Sequence, residues 1–356
     1  MKIAIRADGG NEIGMGHIMR TLVLAKELSK KNEVFYICRI ENKGECHLNN
    51  SNTDTYKITS LDEMITFKLD DSKYIQGIKK ILSEGFEVIL INEDNIIDEL
   101  KLIETDLLIT DSYFVNETYF EETKKIFKKT AYIDDINKYY FNVDFLINQN
   151  SDAEDFDYKT KDYTKLILGT DYILLRDEFK NLPKKHIKEK ACDIMITVGG
   201  ADPDNITENI LSYIGQLDYD FHVVIGPSFG DIPFAEKYKN DNIKFYYNAN
   251  MREIMQKCDI AISACGSTLY ELSASGVPTL GLIIADNQNG IASKLNDLEI
   301  IKSLGWYDKI KKNDLINNLN NFSNNYKLRS ALSEKASKLV DGKGAERIAK
   351  ILCEGI

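Results

Sequence analysis

The chain has 356 residues, enough for two domains at about 150 residues each, and 43% hydrophobic with 28% charged residues is the composition of a globular protein with ample core material. Its 45 Lys and Arg against 56 Asp and Glu give a net charge of -11, which argues against an extended nucleic-acid surface, since phosphate neutralisation needs clustered basic residues. No apolar run approaches the roughly 20 residues of a membrane helix, and the start, Met1 to Arg6, enters a strand-like segment without a secretory pattern, so the expected compartment is the cytoplasm.

Lys2 to Ala7 reads as a strand, Gly9, Gly10, Gly14 and Gly16 punctuate the loop after it, and Ile18 to Leu28 has helical apolar spacing. Strand-like Val34 to Cys38, Val88 to Ile91, Leu107 to Thr110 and Ala131 to Ile133 follow, separated by helical or loop material such as Phe120 to Lys128. Glu41 to Lys80 is polar and lacks clear periodicity in its first half, as expected of a surface insertion. Phe179 to Lys190, Lys-rich with Pro183, reads as a linker. The pattern then restarts with Ile194 to Val198, His222 to Ile225, Lys244 to Tyr247, Asp259 to Ser263 and Thr279 to Ile284. An Asn-rich, low-complexity tract spans Asn313 to Asn325. Tyr326 to Val340 and Ala345 to Leu352 are closing amphipathic helices, the last able to pack on either domain. The expectation is an α/β protein of two Rossmann-like doubly wound domains, residues 1–182 and 183–356.

The six cysteines are scattered, with no Cys-x-x-Cys pair and no His at metal-ligand spacing, so reduced thiols are expected and neither zinc nor a disulfide framework. In open parallel sheets, ligands gather outside the carboxyl ends of the strands, where loop amides and helix N-termini favour negative charge. The first such loop is Gly14-Met15-Gly16-His17. Its glycines let backbone approach a ligand, and His17 opens the helix, where the dipole favours the uncharged imidazole that a general base requires. A lone His at this position can also merely cap or pack. The loop lacks Gly-x-Gly-x-x-Gly spacing, which argues against a nicotinamide dinucleotide.

In the second half, Ala264-Cys265-Gly266-Ser267-Thr268 opens a helix carrying Glu271. Amides of Gly266 to Thr268 can accept a pyrophosphate, and Glu271 either takes a ribose diol or completes the helix cap. Gly200, Asp202 and Asn205 after one strand, and Asn287 and Gln288 after another, converge on the same face as candidate substrate contacts. The Asp202-Pro203-Asp204 run suits turn and cap roles, and no metal or cofactor is required. Asp111-Ser112-Tyr113 and Asp134-Asp135 close strands of the first half, where they either line a sugar pocket or form turns.

Arg6 to Gly10, Ile13 to Arg20, Asp111 to Tyr113, Tyr132 to Asp135, Leu174 to Phe179, Val198 to Asp202, Ser263 to Thr268 and Asn287-Gln288 together resemble the pseudaminic-acid pathway UDP-sugar hydrolases and related spore-coat polysaccharide proteins. The resemblance implies a glycosyltransferase-B architecture, its two domains facing across a cleft with UDP held mainly by the second. It further implies hydrolysis of UDP-2,4-diacetamido-2,4,6-trideoxy-β-L-altropyranose, with His17 as catalytic base and Tyr113, Arg176, Asn287 and Glu271 at substrate-contacting positions. The 41–80 segment departs from shorter members of that family. A glycosyltransferase of the same architecture is the rival reading, because the same histidine could deprotonate an acceptor hydroxyl, and a nucleotide-sugar binding subunit is a third. The sequence leaves the oligomeric state open.

Overall fold

The structure, a computed structural model, describes residues 1–10, 13–41, 56–60, 72–230, 232–238 and 240–354. It divides into two α/β units. The first comprises Met1–Gln149, Ala153–Leu174 and Gly344–Ile356, and the second Asn150–Asp152 and Leu175–Lys343.

In the first unit, strands β1 (Lys2–Ala7), β2 (Glu33–Ile40), β3 (Tyr56–Ile58), β4 (Val88–Asn92), β5 (Leu107–Asp111), β6 (Lys129–Ile133), β7 (Phe145–Asn148) and β8 (Lys165–Leu168) form one sheet in the order β3-β4-β2-β1-β5-β6-β7-β8. Its pairings are parallel except β3 with β4. Because side chains alternate along a strand, β1 sends Ile3, Ile5 and Ala7 into one core and Ala4 into the other. Burial on both faces explains why β1 reads as a nearly continuous apolar run. Helix Gly16–Leu28 covers the first face with Ile18, Leu22, Ala25 and Leu28, spaced at three and four residues.

The second unit's sheet joins β9 (Asp193–Thr197), β10 (Asp220–Ile225), β11 (Ile243–Tyr247), β12 (Ile260–Ala264), β13 (Thr279–Ile283) and β14 (Lys302–Trp306) in the order β11-β10-β9-β12-β13-β14, with parallel pairing throughout. This is the doubly wound order in which the chain turns back across the sheet beside its first strand.

Several expectations are corrected. The single boundary at 182/183 gives way to a crossing at 174/175 and a return at 344. Helix Gly344–Glu354 buries Ala345, Ile348 and Leu352 in the core beneath helix Gly16–Leu28, and its first residue lies so close to Ile173 that an added Cβ would sit 2.2 Å from that carbonyl oxygen. The closing stripe thus finds its apolar complement on the first unit. Much of the expected insertion, residues 42–55 and 61–71, lies outside the described residues. Its end is core structure: helix Ile75–Ser83 buries Ile78, Ile81 and Leu82. The Asn-rich tract is helix Lys312–Asn324, which buries Leu315, Leu319 and Phe322 on one side and exposes Asn313, Asn317, Asn321 and Asn324 on the other.

The linker around 179–190 is fastened to the second unit. Lys185 Nζ donates to the carbonyls of Met255 and Gln256, and Lys188 bridges Asp193 and Asp259. A cavity of about 840 Å³ beneath it, bounded also by helix Tyr326–Leu339, contains none of the expected ligand residues. Cys38, Cys192, Cys258, Cys265 and Cys353 are free thiols, and Cys46 lies outside the described residues. Among the described residues no helix is long and apolar enough to cross a membrane.

Candidate functional site

In the first unit the strand order reverses between β1 and β5, where Ala7 pairs with Asp111. Such switch points open a crevice at the carboxyl ends of the strands, and Asp111 ends β5 on one side while His17 lies in the first turn of the helix that follows β1 on the other. Gly14 is left-handed (φ 72°), and its carbonyl accepts from the Gly10 amide at 3.1 Å, turning the chain into helix Gly16–Leu28. Gly10 is fixed by contact, since a Cβ there would lie 1.7 Å from the Lys73 carbonyl oxygen. At Gly16 a Cβ would meet nothing within 4 Å.

His17 is 8% exposed and Asp111 fully buried. The imidazole Nδ1 lies 2.6 Å from Asp111 Oδ1, so Nδ1 carries the proton and donates, and none of the described hydrogen bonds engages Nε2. The sequence offered the helix dipole as the influence on this ring, whereas the structure orients it by a carboxylate. Arg20, one helical turn on, donates Nε to Asp111 Oδ2 (2.6 Å) and Nη2 to Oδ1 (2.5 Å), and reaches Asp135 Oδ2 with Nη1 (2.9 Å). Burial pushes the Asp111 carboxyl up, but the charge of Arg20 and the hydrogen bonds from Arg20 and His17 outweigh it and bring it down to about 2. Asp111 is therefore an anion that holds the imidazole of His17 and the guanidinium of Arg20, so both of its oxygens are engaged within the protein. Tyr113 packs edge-on against His17, with ring centres 4.6 Å apart and planes at 80°, and donates to Asp135 at 2.9 Å. Burial and the Asp135 charge push its phenol up, keeping it a donor.

Arg20 was missed as a member of this group, and Asp135 was named only as a residue that lines a sugar pocket or forms a turn. The signal for Arg20 was present, because a residue three after His17 lies on the same helical face. Asp135 is separated from it by 115 positions and becomes a partner only through the adjacency of β5 and β6.

In the second unit the reversal falls between β9 and β12, and the loops after β9, β12 and β13 stand side by side. The amides of Gly266, Ser267 and Thr268 donate to no carbonyl among the described hydrogen bonds, and Ser267 precedes helix Thr268–Ala274 without a side-chain cap. A Cβ on Gly200 would meet nothing within 4 Å, and one on Gly266 only Gln288 Nε2 at 3.7 Å, so at Gly16, Gly200 and Gly266 packing does not demand glycine. Gln288 belongs to the 3₁₀ turn Asp286–Gln288; its Oε1 accepts from the Ile284 amide at 3.1 Å, while Asn287 is exposed. Gly226 presses on the first of these loops: a Cβ there would fall 2.3 Å from Gly199 O and 2.5 Å from Gly200 O.

Asp202 accepts from the amides of Ile206 (2.7 Å) and Thr207 (2.8 Å), and Asn205 is left-handed (φ 53°), so both build the start of helix Ile206–Ile214. This is the cap role that the sequence suggested for the Asp202 turn. Arg176 and Glu271, expected as separate contacts, form a two-pronged pair at 2.6 and 2.9 Å, and Arg176 also meets Glu178 at 2.6 Å. Burial raises the Glu271 carboxyl against the pull of Arg176. The pair uses two of the roughly four acceptor positions of a carboxylate, leaving the others open. Among the described residues no group of three or more His, Cys, Asp or Glu converges to hold a metal ion.

Two parallel-sheet α/β units in these strand orders give the chain the glycosyltransferase-B fold. Solved structures with that likeness include MurG of Acinetobacter baumannii (TM-score 0.63, 12% identity, 99% of each chain) and UGT89C1 of Arabidopsis thaliana complexed with UDP (TM-score 0.60, 10% identity, 99% of each chain). Residues 193–348 match the glycosyltransferase family 28 C-terminal domain. Among sequence relatives, the uncharacterized protein MJ1062 of Methanocaldococcus jannaschii is 32% identical over 79% of this chain, which spans about half (55%) of that protein's length. The spore coat polysaccharide biosynthesis protein SpsG of Bacillus subtilis is 27% identical over 99% of this chain and 98% of its own. The UDP-2,4-diacetamido-2,4,6-trideoxy-β-L-altropyranose hydrolase of Campylobacter jejuni is 23% identical over 83% of this chain and 96% of its own.

Proposed function

We propose that the chain is a UDP-sugar-processing enzyme, and that its reaction is hydrolysis of a UDP-linked diacetamido-trideoxy sugar to free sugar and UDP. The observation that carries this reading is the His17 imidazole, oriented through Nδ1 by a buried carboxylate with Nε2 left to act. That is the arrangement in which an acid fixes a histidine's tautomer so that its other nitrogen works as a base. The names of the Campylobacter and Bacillus relatives support the substrate class, and the likeness to UDP-utilising folds supports the nucleotide.

In this reading Nε2 takes a proton from water while the water oxygen bonds to the anomeric carbon. The bond from that carbon to the diphosphate oxygen breaks, its electron pair leaving with UDP. The free amides of Gly266, Ser267 and Thr268 would meet the charge that develops on the diphosphate, so no metal is called for. Glu271 would accept the ribose hydroxyls through its open positions. Gly14 and Gly16 would line the approach to His17, Tyr113 and Arg176 would contact substrate, and Gly200, Asn287 and Gln288 would border the nucleotide.

The match of residues 193–348 to a glycosyltransferase domain favours a second reading, in which an acceptor hydroxyl replaces the water. Product analysis separates the two: the protein is incubated with UDP-linked amino sugars, with and without acceptors, and followed by NMR. Free sugar and UDP at an acceptor-independent rate supports hydrolysis, and turnover that needs an acceptor overturns it. General-base assistance is worth about 10²- to 10⁴-fold, so His17→Ala should lose at least the lower figure in kcat with UDP affinity unchanged. Near-native turnover by that variant removes the assignment.

A further inference from the structure

The loop after β5 is held from behind by cations that lie on the other face of the first unit's sheet. Alternation along β1 and β2 places Arg6 and Arg39 on the face of Ala4, Phe35 and Ile37, away from helix Gly16–Leu28. Arg39 is 3% exposed. Asp8 fixes it by accepting from its Nε (2.7 Å) and its amide (2.8 Å). Its guanidinium then lies 4.0 Å from the centre of the Phe114 ring and 4.9 Å from that of Tyr74. Arg6, wholly buried, donates Nη2 to the Phe114 carbonyl at 3.4 Å, and the Phe114 amide donates to Ser112 Oγ at 3.2 Å. Phe114 is itself 53% exposed, so burial in a core does not hold its ring. A desolvated guanidinium against the ring face does. The preceding residue points to the other side, where Tyr113 packs on His17 and donates to Asp135.

We propose that Phe114 is a positioning residue for His17: Arg39, aligned by Asp8, holds its ring and Arg6 its carbonyl, so that Tyr113 is presented edge-on to the imidazole. The inference rests on His17 as the catalytic base. Misplacement of a reacting group by about 1 Å can cost on the order of 10²-fold in rate, so a loop set from behind matters to turnover more than to substrate affinity.

The test compares Phe114→Leu, which removes the ring at an exposed position, with Phe114→Tyr, which keeps it, and with Arg39→Lys, which keeps the charge but not the planar face. Phe114→Leu and Arg39→Lys should lower kcat at least about tenfold with KM within about twofold, and Phe114→Tyr should restore it. Independently of turnover, the ring signals of His17, assigned by their loss in His17→Ala, should shift in Phe114→Leu and return in Phe114→Tyr. Unmoved His17 signals in Phe114→Leu overturn the proposal whatever the activity. So does an unchanged kcat in a wild-type enzyme shown to be active. If the wild type hydrolyses no UDP-sugar yet the signals shift as expected, the contact stands and the catalytic reading of His17 is what fails.

Discussion

Asp111→Asn keeps the size of the side chain and removes one acceptor from a group that uses both. Oδ1 accepts from His17 Nδ1 and Arg20 Nη2, and Oδ2 from Arg20 Nε. Whichever way the new amide turns, its NH₂ faces an Arg20 donor, and in one of the two orientations it also faces His17 Nδ1, forcing the proton onto Nε2. The wild-type carboxyl sits at about 2 against an ordinary 3.8, a difference worth about 2 kcal/mol of stability at neutral pH. Donors left facing each other in a buried site add about 1–3 kcal/mol more.

Because the folded value is depressed, the first contribution is fully present above about pH 4, roughly halved near pH 3 and lost as pH falls through about 2. Urea unfolding of wild type and variant should therefore differ by about 2–5 kcal/mol near pH 7, with the gap narrowing toward pH 3. In the UDP-release assay the variant should lose about 10²- to 10⁴-fold in kcat with UDP affinity retained. A gap in stability that does not change with pH would refute the account of the charge, and near-native kcat would refute the orienting role.

Glu271→Ala should weaken UDP binding roughly 10- to 100-fold, the worth of hydrogen bonds to a charged group, while Arg176 keeps Glu178; calorimetry showing native affinity would exclude the ribose contact. Gly226→Ala drives a Cβ into the Gly199 and Gly200 carbonyls, so UDP affinity should fall about tenfold or more at a cost in stability of about 1–3 kcal/mol; native affinity would show that this loop does not border the nucleotide. Asp134, whose carboxyl burial lifts to about 6 against the amides of Asn137 and Ile136, favours folding when protonated. Its contribution is complete below about pH 4 and lost as pH rises through about 6, so Asp134→Asn should raise Tm relative to wild type at pH 8 more than at pH 4. Equal differences at both pH values would count against it.

The alternation of apolar runs with glycine loops and amphipathic helices determined the α/β class and the doubled pattern, because these signals are local and repeat at the periods of strand and helix. His17, in the helix after the glycine loop that follows β1, and the Gly266 to Thr268 turn, which follows β12, could be picked out as candidates because each lies between a strand and a helix in sequence. Strands β7 and β8 escaped as four-residue runs, and β14 escaped because an edge strand is half-buried and here includes Gly305 at φ 80°. What only the tertiary structure decided is which distant groups meet. His17 and Asp111 are 94 positions apart, and Arg176 and Glu271 are 95 apart. Whether a carboxylate orients a base, caps a helix or pairs with an arginine depends on which strand ends lie side by side. That ordering is set by the packing of whole elements, including a final helix that returns to the first unit because its apolar stripe is matched there.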